Sequence, residues 1–350
     1  DQGISIQMAA RDLRYNWFNE LLKEYDANKI ITAHHADDNF ETFLINLSRG
    51  TGLDGLLGIP EVNENIVRPI LPFKREAIEK YAKKSGLKWR EDSSNSSRKY
   101  LRNKLRHEVV PILKEINPQL LDSFQSTLEN LNDTADIVEE SLNAVAKRAI
   151  STIDDNGISY KVSEFKKVNN PKAYLFEMFK DYGFTEWNYV LGLLDAQSGK
   201  QVLSNSYRLI KHREYLILTA LKLDEIQNVL LSLVEVQKGI VGTPIGDLIF
   251  QDIEAIEKPN PYEIYIDKSK LVFPLELRIW KEGDYFHPIG MNGKKKISKY
   301  LKDEKLSLVE KENTWLLTSN NEVVWVVGKR ADNRFRVTET TTNSLKIALK

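Results

Sequence analysis

Between residues 33 and 55 the chain reads AHHADDNFETFLINLSRGTGLDG, which gathers two adjacent histidines, two adjacent aspartates, a glutamate, an arginine and three glycines. Three chemistries compete for this stretch. His34, His35, Asp37 and Asp38 offer nitrogen and oxygen ligands to a metal. Neighbouring histidines diverge on an extended backbone, however, and His107, His212 and His287 have no spacing that completes a site. Gly50, Gly52 and Gly55 satisfy G-x-G-x-x-G, but a dinucleotide fingerprint needs strand, glycines and helix in that order, and here the glycines follow a helical pattern. The third reading is a capped helix, with Asp38 as N-cap, Glu41 three residues on, and Arg49 and Gly50 at the far end. Capping leaves His34, His35 and Asp37 unexplained. Acids beside imidazoles at a strand end suit a cationic ligand such as an amine, and can take a proton from it.

The elements around the stretch follow from periodicity. Ile6, Ala9, Ala10, Leu13, Trp17 and Leu21 predict an opening helix capped by Ser5. KIITA predicts a buried strand with the histidines at its carboxyl end, the edge where open parallel sheets bind ligands. Phe40, Phe43, Leu44 and Leu47 recur at i, i+3, i+4 and i+7, so one face of the next helix belongs to a core. IVRPILPF reads as an extended connection, KREAIEKYAKKSG as a helix closed by Gly86, REDSSNSSRKY as an irregular loop, and YLRNKLRHEVVPIL as another helix. Residues 118–149 read as an acidic helical connector, followed by a small helical unit and returning strand patterns. The end alternates strands with one basic helix, KKISKYLKDEKL, and SNNE lies between two strand patterns as a hairpin loop.

Composition narrows the class. With 350 residues, two or three domains are expected. Apolar residues make up 41% and charged residues 29% of the chain, as in a globular protein. No apolar run approaches the roughly 18 residues of a membrane helix, and the acidic first residue with no apolar block after it predicts no secretory signal. The absence of cysteine excludes disulfides, thiolate zinc sites and cysteine nucleophiles, and fits a cytoplasmic protein.

Fifty basic and fifty acidic residues cancel overall but not locally. Arg68 to Lys114 holds fourteen Lys or Arg against five Asp or Glu, and Glu115 to Asn170 ten acidic against five basic. Such a field concentrates phosphates, although a solvated basic surface gives the same count. Within it Arg98, Arg102 and Arg106 flank the stripe formed by Leu101, Leu105, Val109 and Ile112, a border position from which arginines can reach a cleft. A second basic set, Lys294, Lys295, Lys296, Lys299, Lys302 and Lys305 with Arg330, Arg334 and Arg336, lies near the end. Helical spacing would put Lys295, Lys299 and Lys302 on one face, suited to an RNA backbone or simply to solvent. Tyr285, Phe286, Trp315 and Trp325 read as core.

ITAHHADDNFETFLINLSRGTGLDGLLGIP closely resembles the H-H-x-D-D-x-x-E-T signature and R-G-[ST]-G-x-x-G-L loop of tRNA(Ile)-lysidine synthetases, a family of PP-loop ATPases. SIQMAARDLRYNWF, the stretch from RPILPF to EVVPIL, LRIWKEGDYFHPIGMNGKKKISKYLKDEKL and VVWVVGKRADNRF extend the resemblance in order along nearly the whole chain. The resemblance implies an α/β fold: part of a parallel-sheet PP-loop domain (residues 1–116), a mainly helical middle domain (117–222), a linking β segment (223–270) and a small α+β carboxyl-terminal domain (271–350). It implies that ATP with Mg2+ adenylates the first anticodon cytidine of tRNA(Ile) carrying a CAU anticodon, and that free L-lysine displaces AMP, so that AUA is read. His34, Asp38 and Glu41 match the lysine pocket, with His34, Asp38, Arg14 and Arg106 as catalytic residues. Arg11, His35, Asp37, Arg49, Gly50, Gly52, Arg98, Arg102 and Asn103 are candidate ATP or tRNA contacts. Lys294, Lys295, Lys296, Lys299 and Lys302 are candidates for the tRNA acceptor stem.

The family's S-G-G-x-D-S phosphate loop does not occur in this sequence. The expectation is therefore a chain without its ATP phosphate loop, unable to make lysidine alone and left with an exposed sheet edge. A noncatalytic tRNA-binding remnant and another PP-loop tRNA-modifying ATPase are the alternatives. Oligomeric state, homodimer included, is not specified by the sequence.

Overall fold

The computed structural model describes residues 6–90, 101–221, 227–253, 260–291 and 293–350, without the side chains of 6–8 and 11. The chain divides into two compact units, residues 1–141 and 142–350.

The first unit opens with helix α1 (Ile6–Glu24), strand β1 (Ile30–Ile31) and helix α2 (Ala36–Arg49). A short helix α3 (Leu53–Leu56), a hairpin of β2 (Val62–Asn63) and β3 (Ile66–Val67), and α4 (Arg75–Lys84) follow. Strand β3 is central, parallel to β1 and antiparallel to β2. The strand predicted over KIITA is thus short. Among the described residues β1 pairs only with β3, and Ile31 is 72% exposed rather than buried. The apolar stripe predicted for α1 is also uncovered, since Leu13 and Trp17 are exposed.

Next come α5 (Leu101–Lys104), a single π-helical turn (Leu105–Val109), α6 (Val110–Ile116) and the long α7 (Leu120–Ala149). Pro111 lacks an N–H and crowds the preceding turn, so the chain widens just before it: the Val110 amide donates to Leu105 O, five residues back. The core of this unit joins α2 to α6 and α7 through Phe40, Val110, Leu121, Phe124 and Leu128. Phe124 meets Phe40 and Phe43 edge to face at 4.9 and 5.2 Å between ring centres. Leu47, expected on the same stripe, is exposed. The predicted Ser/Asn loop over residues 91–100 lies outside the described residues.

The second unit is richer in sheet than a mainly helical middle followed by a linker. Strands β4 (Ile150–Asp154), β5 (Gly157–Lys161), β6 (Gln201–Leu203), β7 (Tyr207–His212) and β8 (Tyr215–Ala220) form an antiparallel sheet in the order β4-β5-β8-β7-β6. Helices α8 (Val162–Lys166), α9 (Pro171–Phe179) and α10 (Trp187–Gly192) share a core with it around Phe165, Leu175, Phe179, Val190, Leu209 and Leu216. The expected linking segment instead supplies β9 (Val229–Leu231), α11 (Leu233–Gln237), β10 (Ile240–Thr243), β11 (Gly246–Ile253) and β12 (Glu263–Asp267). After β13 (Leu275–Ile279), β14 (Tyr285–Phe286), β15 (Lys295–Lys296), α12 (Ile297–Asp303) and α13 (Leu308–Glu312), the chain closes with β16 (Trp315–Ser319), β17 (Glu322–Val326), β18 (Arg330–Ala331) and β19 (Ser344–Leu349). A five-stranded sheet, β18-β17-β16-β13-β9, shares one core with a four-stranded sheet, β10-β11-β19-β12. The terminal strands need the strands of 223–270 as partners because their apolar faces would otherwise meet water. The predicted hairpin forms at Asn320 and Asn321, both in the left-handed region (φ 47° and 63°) that two-residue hairpin turns require. Trp315, Trp325 and Phe286 are core, but Tyr285 is 43% exposed. Among the described residues no helix is long and apolar enough to cross a membrane.

Phe124→Ala removes the ring on which α2 and α7 meet, so it is expected to cost the first unit about 3–5 kcal/mol. Urea unfolding of the whole chain would show the earlier transition moving to lower denaturant; an unmoved transition would show that α2 is held some other way.

Candidate active site

The turn from β1 into α2 carries most of the candidate residues. His35, in extended conformation (φ −130°, ψ 177°), is the N-cap, and the helix begins at Ala36. The sequence placed the cap at Asp38; the structure moves it three residues earlier. Asp38 instead reaches back as the third helical residue, its Oδ2 accepting the His35 N–H at 3.2 Å. The earlier start is possible because a distant partner takes an end amide: Ala36 N–H donates to Phe73 O at 3.0 Å. His34 is half-buried with Nδ1 2.9 Å from Thr32 Oγ1. His35 Nε2 lies 3.3 Å from Asp38 Oδ2, while its buried Nδ1 has no hydrogen-bond partner among the described residues.

Asp37 lies 3.8 Å from His35 Nδ1 through Oδ2 and makes its hydrogen bonds on the flank of the site. Its Oδ2 accepts the Arg75 N–H at 2.8 Å, and its Oδ1 accepts Lys114 Nζ at 2.7 Å, tying α2 to α4 and α6. Burial works to raise the Asp37 carboxyl, but the Lys114 and Arg75 hydrogen bonds, with the charges of Lys114 and His35, outweigh it and hold it below its ordinary value.

Glu41 is the centre of the site. It is 2% exposed and grasped by two arginines. Arg106 Nε and Nη2 donate to its Oε1 and Oε2 at 2.6 and 2.8 Å, a fork-on-fork pair, and Arg106 Nη2 also reaches Asp38 Oδ1 at 3.0 Å. The hydrogen bond to Glu41 raises Arg106 above the ordinary arginine value against the opposing effect of burial. Arg102 Nε lies 3.2 Å from Glu41 Oε2, within charge attraction but off hydrogen-bond geometry. Its Nη2 donates to Thr42 Oγ1 at 2.6 Å and to Asp38 O at 3.3 Å. Arg106 sits within the π turn, so the widened turn ahead of Pro111 carries the guanidinium that clamps Glu41.

The glycine loop is fixed by asparagines on α2. Asn39, only 6% exposed, accepts the Ile59 N–H on Oδ1 at 2.6 Å, and Asn46 Nδ2 donates to Gly55 O at 2.8 Å. Gly58 takes φ +79°, where a Cβ would come within 2.6 Å of Asn39 Oδ1, so the latch excludes a side chain there. Arg49 at the end of α2, and Gly50 and Gly52 on this loop, are exposed.

Of the residues singled out from sequence, the fold brings together His35, Asp37, Asp38, Glu41, Arg102 and Arg106. Arg14 is exposed on α1, and no described contact joins it to the cluster. Asn103 is half-buried on α5. The side chain of Arg11, and Arg98 altogether, lie outside the described residues. Sequence reasoning missed Lys114, Thr42, Asn39 and Asn46. Lys114 stood in the counted basic segment, but nothing local to it marks Asp37 as its partner.

In the second unit the basic run is not one helical face. Lys295 and Lys296 form β15, and α12 starts at Ile297 because Ile297, Tyr300 and Leu301 turn into a core. Lys295 is paired with Asp303 at 2.8 Å. Lys294, Lys296, Lys299 and Lys302 are exposed, and Lys294 Nζ stands 4.9 Å from the centre of the Tyr285 ring. Tyr285, Met291 and Lys294 to Lys296 with Lys299 line a cavity of about 630 Å3.

Three family models match the chain: a PP-loop domain over residues 1–113, a TilS substrate binding domain over 153–222 and a TilS substrate C-terminal domain over 275–347. The first match gives no support to the expectation that the phosphate-binding part of the domain is missing. A tRNA(Ile)-lysidine synthase of Parabacteroides distasonis is 41% identical over 97% of this chain and 77% of its own length. The enzyme of the same name from Bacteroides thetaiotaomicron is 38% identical with the same coverage, and that of Caldanaerobacter subterraneus subsp. tengcongensis 31% identical over 99% of this chain and 77% of its own.

Removing Arg106 strands a buried carboxylate, so Arg106→Ala is expected to destabilise the first unit by about 3–5 kcal/mol. Pairing it with Glu41→Ala should cost less than the two losses added, and a double-mutant cycle with no coupling would show that the clamp is not the contact that matters. Asp37, with its carboxyl depressed in the folded state, contributes stability that is present above the unfolded value of about 3.9 and lost as pH falls through the lower folded value. The stability gap between the native chain and Asp37→Asn, followed by urea midpoints, should therefore be constant above about pH 5 and shrink below pH 4.

Proposed function

The chain belongs to the tRNA(Ile)-lysidine synthase family, and from that membership we propose that it joins lysine to the first anticodon cytidine of tRNA(Ile) at the expense of ATP. The C2 carbonyl oxygen of the cytidine attacks the α-phosphorus of ATP and pyrophosphate leaves. The lysine side-chain amine then attacks the activated C2, the carbon–oxygen bond breaks, and AMP departs with the oxygen. The PP-loop domain over residues 1–113 is the part that would use ATP. Mg2+ would enter bound to the ATP substrate.

The observation that carries the reading is the carboxylate pair Asp38 and Glu41, one helical turn apart on α2 and bridged by a single guanidinium. A site that fixes a planar cation between two carboxylates has the polarity needed by a primary ammonium. In our reading Asp38 and Glu41 orient the lysine ammonium, with Arg106 giving up part of its hold as the substrate enters. Arg106, so released, would be available to the charge that builds on the phosphate as AMP leaves. The amine must shed a proton before it attacks; His35, beside Asp38, and His34 are the candidate acceptors. Arg14, Arg11, Arg49, Gly50, Gly52, Arg98 and Asn103 remain candidate ATP or tRNA contacts. Lys294, Lys296, Lys299 and Lys302 supply exposed charge for the tRNA backbone.

Two measurements test this. Incubated with tRNA(Ile) bearing a CAU anticodon, ATP and lysine, the chain should release AMP in step with lysine incorporation; RNA retention on filters without AMP release would favour a tRNA-binding remnant. Asp38→Asn should raise the lysine KM at least tenfold while adenylation, read as pyrophosphate release, changes little. An unchanged lysine dependence would remove Asp38 from the pocket.

A further inference from the structure

The three arginines near the end of the chain have different fates. Arg334 is spent inside the protein, donating to buried Asp332 through Nε and Nη2 at 3.0 and 2.8 Å and pairing with Glu322. Arg330 and Arg336 are exposed, and with half-buried Lys329 they line a cavity of about 530 Å3 along the outer edge of β12. Among the described residues no carboxylate pairs with these three. Glu263, also in the wall, is engaged by Lys346 at 3.2 Å.

The rest of the wall is of another character. Ile264, Ile289 and Val337 make it apolar, and Tyr265 contributes a ring. Tyr265 is 8% exposed, and its buried hydroxyl has no hydrogen-bond partner among the described residues. An unsatisfied buried hydroxyl is uncommon in folded proteins unless water or a ligand completes it. The volume falls in the range of about 300–1,000 Å3 typical of small-molecule sites. Unpaired cations, apolar lining beside them and a spare hydroxyl match a molecule with a charged phosphate, a flat ring and a hydrogen-bonding edge.

We propose that this cavity binds a single nucleotide, its phosphate on Lys329, Arg330 and Arg336 and its ring against Ile264, Ile289 and Val337. The site is separate from the cavity lined by Lys294 and Lys299 and does not depend on the chemistry assigned to Asp38 and Glu41. The nucleotide can come from an unpaired position of a bound RNA or from a free nucleoside monophosphate; both present the same groups.

UMP is a suitable probe, being neither the adenine nucleotide nor the cytidine that the first unit would use. Equilibrium dialysis of labelled UMP against the full chain should show saturable binding, with inorganic phosphate a weaker competitor. The Arg330→Ala/Arg336→Ala variant should bind UMP at least tenfold more weakly, Tyr265→Phe a few-fold more weakly, and Lys294→Ala/Lys299→Ala as the native chain does. Both arginines are exposed, so thermal melting is expected to be unchanged in their variant. Displacement of UMP by saturating tRNA identifies an RNA nucleotide as the occupant, and retention identifies a free one. UMP binding that does not saturate, that survives loss of both arginines, or that phosphate matches in affinity would overturn the proposal. AMP release measured on the same samples reports separately on the first unit.

Discussion

Glu41 is a carboxylate nearly without water, and the arrangement of the first unit follows from how its charge is balanced. An ion of that kind in a protein interior costs several kcal/mol unless both oxygens are satisfied by well-aligned donors. Arg106 provides those donors in one planar fork, and Arg102 adds a second positive charge from the preceding turn. Because the two arginines lie on the segment running into Pro111, the segment must approach α2 closely. Val110 and Phe124 then pack against Phe40 as a consequence of the same approach. Polar clamp and apolar core hold one another in register.

The clamp also keeps the head of α2 from being an open acidic patch. Asp37, Asp38 and Glu41 are each met by Lys114, Arg106 or Arg102, so the resting site is close to neutral. Repulsion among three carboxylates at the head of one helix is thereby avoided, while the helix dipole favours Asp37 and Asp38 in its first turn. Under the proposed function a substrate ammonium would exchange with only part of a guanidinium, and charge would be conserved in the exchange.

The second unit has a different logic. Its two sheets close on a shared apolar core, and chain order is subordinate to strand pairing: β9 from the presumed linker lies beside β13, and β19 at the very end lies between β11 and β12. Basic residues that look equivalent in sequence are sorted by this framework. Arg334 and Lys295 are consumed by Asp332 and Asp303, whereas Lys294, Arg330 and Arg336 are left facing cavities.

The sequence by itself determined what local rules govern. Helix α2 with its acidic head, the closure at Gly86, the Asn-Asn hairpin and the burial of Trp315, Trp325 and Phe286 all depend on propensity, capping or hydrophobic period within a few residues. The family was likewise readable, since ordered motifs survive where chemistry constrains residue types. Only the tertiary structure decided the rest. The N-cap moved from Asp38 to His35 because the Phe73 carbonyl reached the Ala36 amide. Ile31 and Leu13 stayed exposed because no described neighbour covers them, and Lys295 left the helical face because a buried Ile297 set where α12 begins. Above all, Arg106 meets Glu41 across 65 residues of chain. An ion pair of that kind has no signature in spacing: two opposite charges far apart in sequence are indistinguishable from solvated ones until packing removes the water between them.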